Sequence, residues 1–408
     1  MKKVFCVFLI LLCAYLCILK NVKKSLKMPS FYDKNVSEVI EFSKKNNLKY
    51  EIKELNDEQI EKDNIVWQNI KEGEKINKDD VIVVTKSLGK DMTKQYQDLN
   101  VDESGNVPIM MYHGIVNLSD EDTGYTGGNV DKDGYTRTSE SFRKDLEFYY
   151  EQGYRMIRLD DYIHGNIDVP LGKSPIILTF DDGNANNIKV LGKDDDGNLI
   201  IDPNSAVGIL EEFKKKYPDF NVTATFFVNA SIFNQKEYNE EVLTYLLDNG
   251  YDIGNHTLTH PDFTKIDEDE ALEEVGKMYK ILNDYIKGKY VNIVALPFGS
   301  PYDSDHKTFP AISGGEYEGF SYKTESTLRV GWEADYSPFH IKFNSQFLKR
   351  IRAYDNNGVE FDIKMNFDIL KNTRYISDGD VNTIVVPNSR KDKIGNTFDK
   401  RVIYYDEI

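Results

Sequence analysis

The feature that most constrains this chain is a buried-strand pattern that ends in two adjacent acids. The apolar run at residues 176–180 is followed directly by Asp181, Asp182 and Gly183. Further along the chain, the apolar stretch 251–254 leads into a segment, 255–260, that contains two histidines. In α/β folds, functional residues collect where parallel strands end. We therefore expect both polar segments at one edge of a buried sheet.

The residue types at these two strand ends suit a metal site beside a base. His256 and His260 are four residues apart, a spacing that puts two side chains on one face of a helical turn. A catalytic zinc usually takes three protein ligands, so Asp181 or Asp182 completes the set and the other acid is free to accept a proton. Turn formation and core packing also explain each pair separately. Their combination at two strand ends favours the metal site.

These segments resemble the motifs of the polysaccharide deacetylase family. The resemblance is carried by residues 179–183, 224–228 and 254–260, and residues 107–113 are similar to the first strand of its membrane-associated and secreted branches. It implies an α/β fold, a distorted (β/α) barrel, over residues 107–408. It also implies a metal-dependent N-deacetylase that acts on amino sugars of a cell-wall or extracellular polysaccharide, with peptidoglycan favoured over an exopolysaccharide.

Carried over by position, the resemblance implies a role for each strand-end residue. Asp181 is the expected catalytic base. Asp182, His256 and His260 are the expected ligands of a divalent metal, for which we favour zinc. The expected reaction is attack of water on the acetyl carbonyl, followed by release of the amine and acetate.

The second half of the chain departs from the family pattern. The histidine that usually serves as general acid is missing from residues 383–387. We predict His113, at the end of an apolar strand, as the general acid, with His340 as the second choice. Ala295 stands where the family has an arginine that orients the base. Arg329 could replace that arginine, although a surface salt bridge is the simpler role for it.

Four further residues are predicted to bind substrate through resemblance to the third and fourth family motifs. Pro297, Phe298 and Gly299 belong to a segment that keeps the proline and glycine of the third motif. Trp332 and Asp335 loosely resemble the aromatic residue and the acid of the fourth. We assign Trp332 to a pocket wall, although core packing explains a tryptophan equally well.

The first 27 residues predict a signal anchor or a signal peptide. Residues 4–19 are an uninterrupted apolar run with lysines on both sides. The run is slightly short of the roughly 20 residues of a comfortable membrane span. Because no small-x-small cleavage site follows it, we favour an uncleaved membrane anchor. The rest of the chain is then expected on the extracellular face of the cell membrane, or secreted to the cell wall if the segment is cut.

Residues 28–88 predict a small α+β module. Apolar residues recur at helical spacing after Asp33 and Asn35, and strand-like stretches follow at 48–55 and 81–85. Residues 28–31, 37–40 and 73–84 resemble a PASTA domain, a family found in cell-wall-facing bacterial proteins that can recognise peptidoglycan. Wall binding and a spacer role both stay open. Residues 89–106 are polar and are predicted to be a linker.

After residue 107, strand-like and helical patterns alternate, which predicts the barrel. Helices are predicted after Thr138, after Asn204 and over 267–286, and residues 192–198 predict a hairpin turn because their spacing does not fit a calcium loop. The strands are predicted near residues 108, 156, 176, 222, 251, 291, 328 and 383.

Composition limits the partners. All three cysteines lie in the N-terminal run, so the exported part is expected to be stable without disulfides. A net charge of −17 argues against nucleic acid, whose binding needs basic patches, and suits a neutral glycan. We expect a monomer. Two alternative functions stay open: a catalytically weak glycan-binding wall protein, and an O-acetyl esterase acting on a polysaccharide.

Overall fold

The computed structural model describes residues 26–407, so the predicted N-terminal anchor lies outside the described residues. The chain divides into two compact units, the first ending at Lys94 and the second beginning at Gln95. Within residues 26–407, no helix combines the length and the apolar character that a membrane crossing needs.

From residue 26 onward, the first unit contains one complete helix and a three-stranded sheet. Its elements are α1 (Val36–Asn46), β1 (Lys49–Leu55), β2 (Ile65–Gln68) and β3 (Val81–Ser87). The central strand β3 is parallel to β1 and antiparallel to β2. Asn35 caps α1 by accepting a hydrogen bond from the Ser37 N–H. The predicted helix and two strands are confirmed, and β2 is an addition to them.

The second unit is built on a curled parallel sheet with helices packed against it. Its helices are α2 (Thr93–Leu99), which begins at the unit boundary, α3 (Ser139–Glu151), α4 (Leu159–Ile163), α5 (Ala206–Lys216), α6 (Asn239–Asp248), α7 (Glu268–Ile286), α8 (Phe309–Ser313) and α9 (Ile363–Leu370). Its strands are β4 (Asn106–Val107), β5 (Ile109–Tyr112), β6 (Ile115–Val116), β7 (Arg137–Thr138), β8 (Tyr154–Met156), β9 (Ser174–Phe180), β10 (Val190–Lys193), β11 (Leu199–Ile201), β12 (Thr225–Val228), β13 (Asp252–Asn255), β14 (Ile293–Ala295), β15 (Gly314–Tyr317), β16 (Phe320–Lys323), β17 (Ser326–Leu328), β18 (Asp335–Tyr336), β19 (Ile351–Arg352), β20 (Thr383–Pro387) and β21 (Arg401–Tyr405).

The main sheet has eight strands. They run in the order β17, β14, β13, β12, β9, β5 and β19, and β8 also pairs with β9. All of these pairings are parallel, as crossover helices between successive strands require. The edge strands approach each other through an isolated bridge between Leu328 of β17 and Leu348, just ahead of β19. The predicted α/β class is confirmed, with the sheet curled into a half-barrel.

The sequence patterns locate the longer helices well. Thr138 caps α3 by accepting from the Ser141 N–H, and Asp267 caps α7 in a capping box with Glu270. The cap of α5 is Ser205, one residue beyond the predicted start. The predicted hairpin is present as the antiparallel pair β10 and β11.

One strand predicted for the barrel lies elsewhere. Residues 383–387 form β20, which pairs with β21 in a separate two-stranded sheet. The place beside β5 belongs instead to β19. The prediction was wrong because five consecutive buried residues give a strong strand signal, whereas β19 has two residues and one of them is the charged Arg352.

The segment predicted as a linker is partly folded into the second unit. Tyr96 and Glu103 are buried there. The Glu103 carboxylate accepts hydrogen bonds from the Tyr375 hydroxyl and from the backbone N–H groups of Asp378 and Val385. The polar composition of residues 89–106 predicted exposure, but these polar groups find partners inside the protein.

Candidate active site

The strand-end residues predicted from the sequence meet at one edge of the main sheet. Asp182 follows β9, and His256 follows β13, two strands away. The Asp182 Oδ1 atom lies 3.1 Å from His256 Nε2 and 3.6 Å from His260 Nε2. Each residue offers one ligand atom within 4.8 Å of the others. The structure thus brings together the three side chains predicted to bind metal.

Unusual backbone conformations turn these side chains toward each other. Asp182 has φ 72°, and Thr257 and His260 both have φ 66°. A positive φ is uncommon outside glycine and costs on the order of 1–3 kcal/mol. The kink after β9 lets the adjacent carboxylates of Asp181 and Asp182 face the same cavity.

The hydrogen bonds of His256 prepare it for a metal. Its Nδ1 atom lies 2.8 Å from the Ala295 carbonyl oxygen. A carbonyl only accepts, so Nδ1 carries a proton, and Nε2 is the ring nitrogen that faces Asp182 and is available to a metal. Burial alone would lower the pKa of His256, but the Asp182 and Asp181 carboxylates outweigh it and raise the pKa. The site therefore favours a cation, and its donor set fits a divalent metal.

The loop that carries His260 is fixed to α7. The Glu274 carbonyl accepts from the Leu258 N–H at 3.0 Å. The Glu274 carboxylate accepts from both the N–H and the hydroxyl of Thr259, at 2.8 and 2.6 Å. A long helix therefore holds the loop between the two histidines.

A buried arginine holds the predicted base. Arg350 Nη1 and Nη2 donate to the two oxygens of Asp181 at 2.8 and 2.6 Å. The two side chains are 0% and 2% exposed. A bidentate pair fixes the plane of the carboxylate as well as its position. Burial alone would raise the pKa of Asp181, but Arg350 and His256 hold that pKa below its usual value, so Asp181 is ionised.

These residues surround an open cavity of about 330 Å³. Its walls come from five strand ends, those of β5, β9, β13, β14 and β17, and from the loop before β7. The lining residues are His113, Tyr135, Thr136, Asp181, Asp182, Asn184, His256, His260, Leu296, Phe298 and Val330.

Two regions of the chain match known families. Residues 168–309 match the polysaccharide deacetylase model, and residues 26–87 match the PASTA domain model. The chain carries a polysaccharide deacetylase domain and a PASTA domain.

Two relatives are similar to part of this chain. A peptidoglycan-N-acetylglucosamine deacetylase of Bacillus cereus is 29% identical over 138 residues, 34% of this chain and 41% of the relative. The peptidoglycan-N-acetylmuramic acid deacetylase PdaC of Bacillus subtilis is 32% identical over 130 residues, 31% of this chain and 22% of the relative. The chain thus spans less than half the length of either relative. Among solved structures, the Streptococcus pyogenes deacetylase PplD in complex with acetate has a TM-score of 0.44 at 18% identity, covering 62% of this chain and 93% of that one.

The predicted acid His113 lies in the cavity of the deacetylase domain. Its half-buried ring contacts Tyr135 edge-to-face, with ring centroids 4.9 Å apart. The Nδ1 atom is shielded from solvent and has no hydrogen-bond partner within the described chain. Burial lowers the pKa of His113, although Asp181 and Asp182 act in the opposite direction.

The second choice for the acid, His340, is not brought to the cavity. It is buried against the Tyr336 ring, with centroids 4.6 Å apart, and its Nδ1 atom accepts from the Lys342 N–H. These contacts with the backbone and with the Tyr336 ring give the His340 side chain a structural role.

The predicted substrate-binding residues divide into two groups. Phe298 lines the cavity, is 58% exposed and contacts the His260 ring with centroids 4.9 Å apart. Pro297 and Gly299 are buried behind it, and a Cβ on Gly299 would lie 2.8 Å from the Val330 nitrogen. Their contribution is to shape the turn that presents Phe298.

Trp332 is not brought to the cavity. Its side chain is 60% exposed, and its backbone pairs with Ile351 at the edge of the main sheet. The resemblance to a family motif placed the tryptophan in a pocket wall, but the extended segment that contains it turns this side chain to solvent.

Sequence reasoning missed Arg350. The candidate considered from the sequence was Arg329, but its guanidinium lies 5.0 Å from the Tyr302 ring centroid. The Arg329 carbonyl accepts a hydrogen bond from Arg350 Nε. Arg350 lies far from Asp181 in the sequence and outside any long strand pattern. The sequence does place Arg350 between the apolar residues Leu348 and Ile351. This pattern predicts a buried arginine only when its acidic partner is already known, because a buried charge needs a partner.

A second group of metal-type side chains lies at the surface. His164 Nε2 is 3.6 Å from Glu325, and Nδ1 is 3.8 Å from Asp160. All three side chains are well exposed to solvent. Exposed ion pairs of this kind occur without a metal, so we assign no function to this group.

Proposed function

We propose that this protein is a metal-dependent hydrolase that removes N-acetyl groups from amino sugars of a cell-wall polysaccharide, with peptidoglycan as the favoured substrate. The observation that carries the proposal is the convergence of Asp182, His256 and His260 beside the buried base Asp181 in one open cavity. The two Bacillus relatives support the substrate, since both are named for peptidoglycan deacetylation and are similar to part of this chain.

In this proposal the metal is zinc, held by Asp182, His256 and His260. Two histidines and one carboxylate are a common ligand set of catalytic zinc sites. A bound zinc ion lowers the pKa of a coordinated water and polarises the acyl oxygen. The Ala295 carbonyl keeps His256 in the tautomer that ligation needs.

Asp181 is the base that accepts the proton of the attacking water. Arg350 occupies one side of each carboxylate oxygen, and each oxygen keeps a further lone pair for that proton. Arg350 also prevents the carboxylate from rotating away. The orienting role that the sequence left open is therefore supplied by Arg350.

His113, in its protonated form, donates a proton to the departing amine. Its Nδ1 atom is shielded, so Nε2 is the ring nitrogen that can face a substrate. An amine is a poor leaving group unless it is protonated, so amide hydrolysis depends strongly on this step.

Removal of O-acetyl groups is the second candidate function. The observation that favours it is the lowered pKa of His113, because an alkoxide leaves with less protonation than an amine does. A catalytically weak glycan-binding role has less support, since Arg350 removes one of the two reasons for suspecting a defective site.

For the remainder of the chain we propose a setting at the cell surface. The apolar N-terminal run would anchor the protein at the extracellular face of the membrane, and the PASTA domain would bind the wall or act as a spacer. Fractionation of cells that express the protein with and without residues 1–27 tests the anchor.

We also propose that the protein is a monomer. Its second unit is proposed to be a distorted barrel in which the loop around Leu348 closes the curled sheet.

Acetate release from acetylated peptidoglycan by the purified protein tests the function. Activity should disappear with a chelator and return with added zinc. Asp182→Ala and His256→Ala should lose both metal and turnover, whereas Asp181→Asn should keep the metal, measured by elemental analysis, and lose turnover. An O-acetylated glycan in parallel separates the two candidate functions. Metal binding without acetate release from either substrate would instead support the glycan-binding alternative.

A further inference from the structure

His113 and Asp181 face the same cavity but are held differently. Asp181 has two hydrogen bonds from Arg350, while the inner nitrogen of His113 has none from any described residue. The backbone of His113 is fixed, since its carbonyl accepts from the Asn187 side chain at 2.6 Å. The orientation of its imidazole ring is therefore left to packing.

The ring that packs on His113 belongs to Tyr135. The two rings meet at an interplanar angle of 73°, the edge-to-face arrangement that aromatic pairs favour. The Tyr135 hydroxyl makes no hydrogen bond to a described residue, so the contact with His113 depends on the ring alone. Tyr135 is near the end of residues 117–136, the excursion between β6 and β7.

A tight turn fixes the backbone of Tyr135. The Asp131 carboxylate accepts hydrogen bonds from the N–H groups of Asp133, Tyr135 and Thr136, at 3.0, 3.1 and 2.7 Å. Gly134 has φ 67°, and a Cβ there would lie 2.5 Å from the Tyr354 Cβ. The turn is therefore closely packed although it is part of a long loop.

A cation also contacts the Tyr135 ring. The Arg352 guanidinium lies 5.3 Å from the Tyr135 centroid and 4.0 Å from the Tyr354 centroid. Arg352 belongs to β19, two residues after the Arg350 that holds Asp181. Residues 350–352 thus support the base directly through Arg350 and contact Tyr135 through the cation–π interaction of Arg352.

We propose that Tyr135 is the positioning residue for His113, so that the excursion between β6 and β7 sets the path of the proton to the leaving group. This inference rests on the proposed deacetylase function. Proton transfer requires the donor within roughly 2.6–3.2 Å of the acceptor, so a freely turning imidazole spends less time in a productive position. Tyr135 touches the acid and limits that turning.

The test compares Tyr135→Ala, Tyr135→Phe, His113→Ala and the double variant Tyr135→Ala with His113→Ala. Tyr125→Ala is the matched control, because Tyr125 is exposed in the same excursion and does not line the cavity. Each zinc-loaded full-length protein is assayed on an N-acetylated chitooligosaccharide and on 4-nitrophenyl acetate, whose leaving group needs no proton.

We expect Tyr135→Ala to lower kcat on the amide about 10-fold, equivalent to about 1.4 kcal/mol, with KM unchanged. Tyr135→Phe should restore wild-type kcat, and the loss should be absent with 4-nitrophenyl acetate. In the His113→Ala background, Tyr135→Ala should cause no additional loss. The His113 imidazole signals in NMR spectra should be single in the wild type and Tyr135→Phe, and broadened in Tyr135→Ala.

Three results would overturn the inference: losses that multiply in the double variant, an equal loss on the ester, or imidazole signals unchanged in Tyr135→Ala. If the wild-type protein releases no acetate from the amide, the proposed function fails instead. The NMR comparison then still decides whether Tyr135 orients His113.

Discussion

The two sides of the candidate site are held by different forces. On one side, a buried ion pair fixes Asp181, with both oxygens bonded to Arg350. On the other, ring packing orients His113, whose Nδ1 atom has no partner among residues 26–407. A charge-assisted pair defines direction strongly, whereas an aromatic contact is worth only about 0.5–1.5 kcal/mol beyond its burial. The base is therefore the rigid member of the pair and the acid the adjustable one.

Breaking the rigid side should have the largest effect. Arg350→Met leaves the Asp181 carboxylate buried without its cation, so we expect a loss of about 3–5 kcal/mol in the free energy of unfolding, and turnover below detection. Urea unfolding and acetate release measure the two effects.

Arg143→Met is the matched control for that experiment. Its pair with Glu212 lies at the surface, with side chains 30% and 48% exposed, and surface pairs contribute roughly 0–1 kcal/mol. If both arginine variants lose the same small amount of stability, the ion pair of Asp181 does not hold the site together.

Removing the adjustable side should have a smaller effect that is confined to the rate. His113→Ala should lower kcat on an N-acetyl substrate about 100-fold, the lower end of general acid catalysis, with stability and bound zinc unchanged. His340→Ala serves as the control, because His340 does not line the cavity. An unchanged rate in His113→Ala would assign the proton donor to another group.

The buried carboxyl group of Asp335 extends the comparison, because its pKa differs from that of Asp181. Asp335 lacks an arginine partner, and its carboxylate accepts from the backbone N–H groups of Tyr336 and Lys349. Burial raises the pKa of Asp335 to about 7, whereas the pKa of Asp181 is lowered. The folded protein therefore keeps a proton on Asp335 that the unfolded chain releases near pH 4.

The sign of the pH effect follows from that difference. Stability from the protonated Asp335 is fully present below about pH 4 and is lost as pH rises toward 7. Relative to Asp335→Asn, the wild type should lose about 1 kcal/mol of unfolding free energy for each pH unit between 5 and 6.5. Urea unfolding of both proteins across this range measures the difference. Parallel profiles would show that Asp335 is ionised throughout.

The sequence predicts the part of the site that local patterns encode. Asp181 and Asp182 end one apolar run, and His256 follows another, so the rule that parallel strands end at a common edge brings them together. Arg350 and Tyr135 escape this reasoning because Arg350 lies just ahead of the two-residue strand β19 and Tyr135 lies in a long irregular loop, where no periodic pattern exists.

The same contrast explains the fold. Strands β9, β12 and β13 have clear apolar patterns, and helices α3 and α7 have clear periodicity and N-caps. All five elements lie where the sequence predicts them. The edge strand β19 was missed because two residues carry too little pattern. Trp332 was predicted in a pocket wall but is exposed to solvent. The identity of an aromatic residue does not reveal whether its side chain points toward the cavity or toward solvent.

The hydrogen bonds of Glu274 couple metal binding at His256 and His260 to the stability of helix α7. Because Glu274 is part of α7 and also holds Leu258 and Thr259, ordering of the loop by a bound ion should slow amide hydrogen exchange along that helix. By reciprocity, substitutions that fray α7 far from the cavity should weaken the affinity of His256 and His260 for the ion.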